Sequence, residues 1–192
     1  MFLVARPAEE TVRRWLALQE SLPLPAAPSR EGADVDHSHV LLGAGEAIFR
    51  RACAALRRWE MFRVGWVEVF PRAAPMRVGT TVGVLVHHLG LWSLNPCRIV
   101  TLVEEAGPIE RVGFVYRTLP EHAIEGEERF VVEWRRDDEQ VAYDVTAWSR
   151  PRHVLARLGR PLARLVQRRF ARDSRRAMRV AVAAQGSASS LP

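Results

Sequence analysis

His122, Glu127 and Glu128 stand close together in the chain, and their types suit proton chemistry. An imidazole and a desolvated carboxylate are the side chains most readily tuned to neutral pH, so His122 with Glu127 reads as a candidate acid/base pair for a cyclase- or hydratase-type reaction. On a strand, Glu127 and Glu128 point to opposite faces. The competing reading is a loop held by hydrogen bonds and charge. Arg98 and Tyr116 fall on predicted strands, where a guanidinium and a phenol facing the interior would fix the polar end of an amphipathic ligand. With His122 and the aromatic strand residues Trp134 and Tyr143 they form the candidate ligand-binding set. Trp66, Trp92 and Trp148 are further aromatic groups that either line a cavity or pack a core.

Other chemistry is excluded or weak. Asp36, His37, His39, His87 and His88 include metal-ligating types, but His87 and His88 would face opposite ways and no compact zinc spacing is present. No metal and no cofactor are expected. All 28 basic residues are arginine, which removes Schiff-base and phosphate-loop lysines. There is no Gly-x-Ser-x-Gly elbow, phosphate loop or dinucleotide fingerprint. Cys53 and Cys97 make neither a disulfide framework nor a metal knuckle and read as small buried packing.

The elements that must position these residues follow from periodicity. At 192 residues, 48% apolar and 26% charged, the chain is the size and composition of one ordinary globular domain. Residues 1–34 read as a helix, Pro7 to Gln19, and a proline-rich connector; residues 35–184 read as a single domain. Residues 185–192 read as a small-residue, disordered tail. Within the domain, Val35 to Leu42 is a strand and Glu46 to Trp59 an amphipathic helix. Strands follow at Trp66 to Phe70, Thr80 to His88, Arg98 to Glu104, Arg111 to Thr118, Arg129 to Arg136 and Gln140 to Trp148. Val82, Val84 and Val86 share a face, as do Phe130, Val132 and Trp134, and Val141, Tyr143 and Val145. Short links predict an antiparallel meander. A long helix then carries Leu158, Leu165, Val166, Phe170, Met178 and Ala181 inward, with a break expected between Gly159 and Pro161.

That helix dominates the charge. Arg150 to Arg179 holds 11 arginines and one acid, Asp173, whereas the rest of the chain has 17 arginines and 21 acids. The cationic face over 161–180 is either simply solvated or docks on an anionic membrane surface. Nucleic acid is not an expected partner, because no binding motif and no interleaved aromatics accompany the charge. The opening residues lack a signal-peptide pattern and no apolar run is long enough to span a bilayer, so a cytoplasmic protein is expected. Arginine in place of lysine, with abundant Ala, Val and Leu, points to a GC-rich bacterial genome.

The stretch Gly113-Phe-Val-Tyr-Arg-Thr-Leu-Pro-Glu-His-Ala-Ile-Glu-Gly-Glu-Glu-Arg-Phe130 resembles the signature of domain-of-unknown-function family 1990. The resemblance continues through Leu42-Gly43-Ala-Gly45, Trp59-Glu-Met-Phe62, Pro96-Cys-Arg98 and Ser149-Arg-Pro151. The chain departs from the family pattern at Arg117 and Glu121, where glycines are usual. The order of elements is also similar, more remotely, to START and pollen-allergen-like helix-grip proteins. The expected fold is therefore α+β, a curved antiparallel sheet of six to seven strands packed on a long C-terminal helix. The resemblance implies a cavity between sheet and helix that takes a small apolar or amphipathic molecule.

Overall fold

The computed structural model describes residues 2–122, 124–151 and 160–188. Its strands are β1 (Phe2–Leu3), β2 (Asp34–Ala44), β3 (Val67–Phe70), β4 (Thr81–His88), β5 (Leu91–Glu105), β6 (Ile109–Thr118), β7 (Ile124–Arg135) and β8 (Gln140–Pro151). Its helices are α1 (Glu9–Ser21), α2 (Glu46–Arg57) and α3 (Arg160–Ala188), with a 3-10 turn at Glu60–Phe62. The strands form one antiparallel sheet in the order β2-β8-β7-β6-β5-β4-β3, with β1 added beside the start of β5. This is the expected curved sheet gripping a C-terminal helix.

Period-two alternation builds the main core. Val82 and Val84, Phe114 and Tyr116, Phe130, Val132 and Trp134, and Val141, Tyr143 and Val145 face one side and pack with α2, the 3-10 turn and α3. Register irregularities at Leu41/Gly43 and Ile99/Thr101 help to bend the sheet toward that side. From Phe170 onward α3 closes on this core through Phe170, Met178 and Val182. A buried bond of 3.0 Å between the Tyr143 and Ser174 hydroxyls latches it. On the opposite face, α1 covers Leu85 and Leu94 with Val12 and Leu16.

Several boundaries differ from the expectation. β5 begins seven residues before Arg98, running straight through Pro96. Proline is tolerated there because its carbonyl, and so its missing N–H, faces the side where β6 has already ended; the Pro96 carbonyl accepts from Leu119 N instead. β7 likewise starts at Ile124 rather than Arg129. Leu165, expected inside, is 62% exposed. α3 continues to Ala188, so residues 185–188, read as tail, are helical. Gly159, where a helix break was expected, and residues 189–192 lie outside the described residues. Among the described residues no helix is long and apolar enough to cross a membrane.

Candidate functional site

The inner face of the sheet changes character along its strands. Around Phe170 of α3 it is filled by aromatic rings, with Phe62 against Phe130 at 5.4 Å and Phe170 at 5.1 Å, and Tyr116 against Phe130 at 5.3 Å. Toward Arg164 and Gln167, nearer the start of α3, it becomes polar. Cross-strand register sets Tyr116 opposite Glu128, Glu128 opposite Ala147, and Ala147 opposite Asp36, so Tyr116, Glu128 and Asp36 share one rung. Ser38 follows Asp36 on the same face. Arg164 of α3 binds Asp34 at 3.1 Å and Asp36 at 3.2 Å, and Gln167 donates to Ser149 at 3.2 Å. Near its start the helix is thus held by polar contacts at Arg164 and Gln167, and from Phe170 onward its inner face rests on the apolar core.

Glu128 is the centre of that rung. The Tyr116 hydroxyl donates to its Oε2 at 2.5 Å. Burial raises the Glu128 carboxyl from its ordinary 4.5 to about 7; the Tyr116 bond opposes the rise and the nearby Asp36 charge adds to it. The Tyr116 phenol is driven well above its ordinary range by burial first and by the Glu128 charge second, so it remains a donor. Asp36 Oδ2 and Ser38 Oγ are buried without a hydrogen-bond partner. Acceptors left so are costly unless something fills them. Neither thiol is primed for nucleophilic chemistry, since burial pushes Cys53 up to about 11 and also holds Cys97 well above its ordinary value.

The sequence-selected residues separate between faces and ends. Tyr116 stands at the polar rung as expected. Tyr143 is on the same face, but its hydroxyl is committed to Ser174. Trp134 is six residues along β7 from Glu128, roughly 20 Å away at strand rise, packed under Phe49 with Arg136 over its ring. His122 lies in the β6–β7 turn, where its Nδ1 accepts from Ile124 N at 3.0 Å. Arg98 and Glu127 are on the outer face, away from Tyr116. The pairing of His122 with Glu127 therefore gives way to Glu128, whose side chain alternation sends inward.

Arg98 and Glu127 have structural work outside. Arg98 donates to Thr81 Oγ1 at 3.0 Å and to the carbonyls of Gln19, Glu20 and Leu22 at 2.8, 3.1 and 3.1 Å, capping the end of α1. Glu127 pairs with Arg117, which also donates to Pro25 O at 2.8 Å, and Glu121 accepts from Trp15 at 2.9 Å. The two positions that depart from the family's glycines thus both fasten the N-terminal segment. Replacing Arg98 with Ala should cost about 2 kcal/mol and raise hydrogen exchange in α1 while leaving α3 protected. Equal exchange in both helices would contradict that assignment.

On the outer face His37 and His39 converge on Asp144 beside Arg129, whose guanidinium lies 3.6 Å from Asp144 Oδ1. A cation there would meet that guanidinium. Among the described residues no His/Cys/Asp/Glu group forms a metal-binding cluster.

Comparison with known proteins agrees with this architecture. The chain is 38% identical over 156 residues to a UPF0548 protein of Dictyostelium discoideum, covering 77% of this chain and 72% of that protein. It is 37% identical over 190 residues to a UPF0548 protein of Deinococcus radiodurans, covering 90% and 94%. Such relatives span eukaryotes and bacteria, so likeness to them does not identify the source. Among solved structures, TTHA0849 from Thermus thermophilus is similar with a TM-score of 0.50 at 15% identity, covering 79% of this chain and 99% of that one. Ara h 8.0201 has a TM-score of 0.48 at 12% identity, covering 80% of this chain and 99% of that one. At such identity the first likeness is one of fold alone. The pattern of the family described as Domain of unknown function (DUF1990) matches residues 17–177, and the chain belongs to that family.

Proposed function

We propose that the protein binds a small amphipathic molecule between the polar rung of the sheet and the start of α3 near Arg164 and Gln167. The carrying observation is the Tyr116–Glu128 pair, a buried phenol on a half-buried carboxyl at the end of an aromatic wall, with the orphaned Asp36 Oδ2 and Ser38 Oγ on the same face. A ligand whose polar end donates hydrogen bonds would satisfy these acceptors, and its apolar part would lie toward Phe62, Phe130 and Phe170. Free, buried Cys53 and Cys97 suit a reducing compartment such as the cytoplasm.

Native mass spectrometry of the protein purified from its own source tests this reading. A retained small molecule is expected, with occupancy lowered about tenfold by combining Tyr116→Phe and Glu128→Leu, since two polar contacts are removed. A ligand-free protein, or occupancy that ignores both changes, would overturn it.

A second reading is favoured by the Glu128 carboxyl titrating near 7, the range suited to a general acid or base. A proton-transfer enzyme of the cyclase or hydratase type would then use Glu128 in the role expected of Glu127. Glu128→Gln divides the two readings: it abolishes turnover of the retained molecule in an enzyme, whereas a carrier shows no turnover to lose.

A further inference from the structure

The β4–β5 hairpin tip carries a residue that folding does not ask for. Leu89 and Gly90 form a two-residue turn closed by the His88–Leu91 pair, with φ of 51° and 75°. Turns with both central residues at positive φ favour Asn-Gly, because most side chains crowd the backbone there. Here a leucine holds the unfavourable conformation and is 76% exposed. Pairing of Leu3 with Trp92 brings Val4, 87% exposed, next to Leu91, 40% exposed. Three unprotected aliphatic side chains therefore gather at one end of the sheet. Trp92 stacks on His87 beside them, ring centroids 4.7 Å apart.

A basic groove adjoins this tip. A cavity of about 510 Å³ runs along the outer edge of β3, lined among others by Trp66, Trp92, Arg58, Arg63 and Arg72. Arg169 of α3 lies over Trp66, 4.3 Å from its ring. Arg58 and Arg63 share the single carboxylate of Glu60, and Arg6 and Arg72 share Glu68. Each acid is outnumbered two to one, so the region stays cationic. Aliphatic tip, interfacial tryptophan and surplus arginine together are the composition that an anionic lipid surface accepts.

Several α3 arginines are likewise engaged by neighbouring groups, and Asp173 is shared by two of them. Arg164 binds Asp34 and Asp36, Arg169 and Arg172 bind Asp173, and Arg175 and Arg179 donate to the β2 carbonyls of His39 and Leu41. Those last two bonds cover the open edge of β2.

We propose that the protein docks on anionic bilayers through the β4–β5 hairpin tip, with Leu89, Leu91 and Val4 entering the headgroup region and the arginines of the β3-edge groove meeting lipid phosphates. This docking does not depend on the interior site being a ligand pocket.

Co-sedimentation with sucrose-loaded vesicles tests it on the full chain, using phosphatidylcholine alone and phosphatidylcholine containing phosphatidylserine. Binding is expected to the mixed vesicles only and to weaken with salt. Leu89→Asn suits the turn and should keep or raise thermal stability; with Leu91→Ser it should lower vesicle affinity roughly tenfold. Arg63→Glu with Arg72→Glu should lower it by about the same factor. Arg168→Glu with Arg176→Glu, on exposed positions of α3, should leave it within about twofold. No binding to anionic vesicles, or binding that survives the leucine changes and is lost with the α3 changes, overturns the proposal. So does concentration-dependent self-association abolished by Leu89→Asn, which would make a second copy the occupant of the tip.

Discussion

At pH 8 the Glu128→Gln variant is expected to be more stable than the wild-type protein, by about 2 to 3 kcal/mol. The Glu128 carboxyl titrates near 7 in the folded protein, against an ordinary value of 4.5. The folded state therefore holds its proton more tightly than the unfolded chain does. That stabilisation is whole below about pH 4.5 and is lost as pH rises through about 7, so wild-type stability falls across this window. Glutamine cannot ionise, and its amide oxygen can still accept from Tyr116, so the variant escapes the loss. Urea unfolding at pH 5 and pH 8 measures the effect; parallel pH profiles for the two proteins would remove Glu128 from the interior. Tyr116→Phe should move the window to higher pH, because it deletes the bond that holds the carboxyl down. For the proposed function, a ligand that donates to Glu128 should bind more tightly as pH rises through 7.

Gly113→Ala is expected to cost about 3 kcal/mol or more, a large share of the stability of an ordinary domain. A Cβ at Gly113 would stand 2.1 Å from the Phe130 carbonyl oxygen and 2.9 Å from Val131 Cα. Both are backbone atoms of the paired strand β7, so relief would require opening the β6–β7 ladder. Gly126 repeats the arrangement one strand on, where a Cβ would lie 2.3 Å from the Trp148 carbonyl oxygen. The two glycines let successive strands approach closely where the sheet bends toward α3. Gly83→Ala is the control: its neighbours are the side-chain ends of Leu94 and Leu16, at 3.0 and 3.5 Å, which can shift. It should cost about 1 kcal/mol or less. Urea midpoints of the two variants are the comparison, and a Gly113→Ala protein as stable as the wild type would refute the close approach.

The interior site was partly legible before any fold was known. Phe130, Val132 and Trp134 alternate to one face, and extending that face back by two residues reaches Glu128, not Glu127. A strand read as beginning at Arg129, after the run of charged residues, leaves Glu128 outside it, whereas β7 begins at Ile124. Pro96 similarly hid the first half of β5, since a proline looks like a strand end until its partner strands are known. Arg98 was harder. An arginine next to a buried cysteine can face either way, and its role depends on the end of α1, far away in sequence.

Composition excluded lysine chemistry, and local periodicity determined the strands' apolar faces, the meander order and the long cationic helix, because each of these depends on residues near one another in the chain. Tertiary structure alone decided that Glu128 accepts from Tyr116, that Asp36 and Ser38 join them, that Arg98 and Arg117 fasten the N-terminal segment, and that the hairpin tip meets a basic groove. Those outcomes depend on pairing register and on burial. Both are properties of neighbours brought together from distant parts of the chain, and side-chain type and spacing along one segment do not contain them.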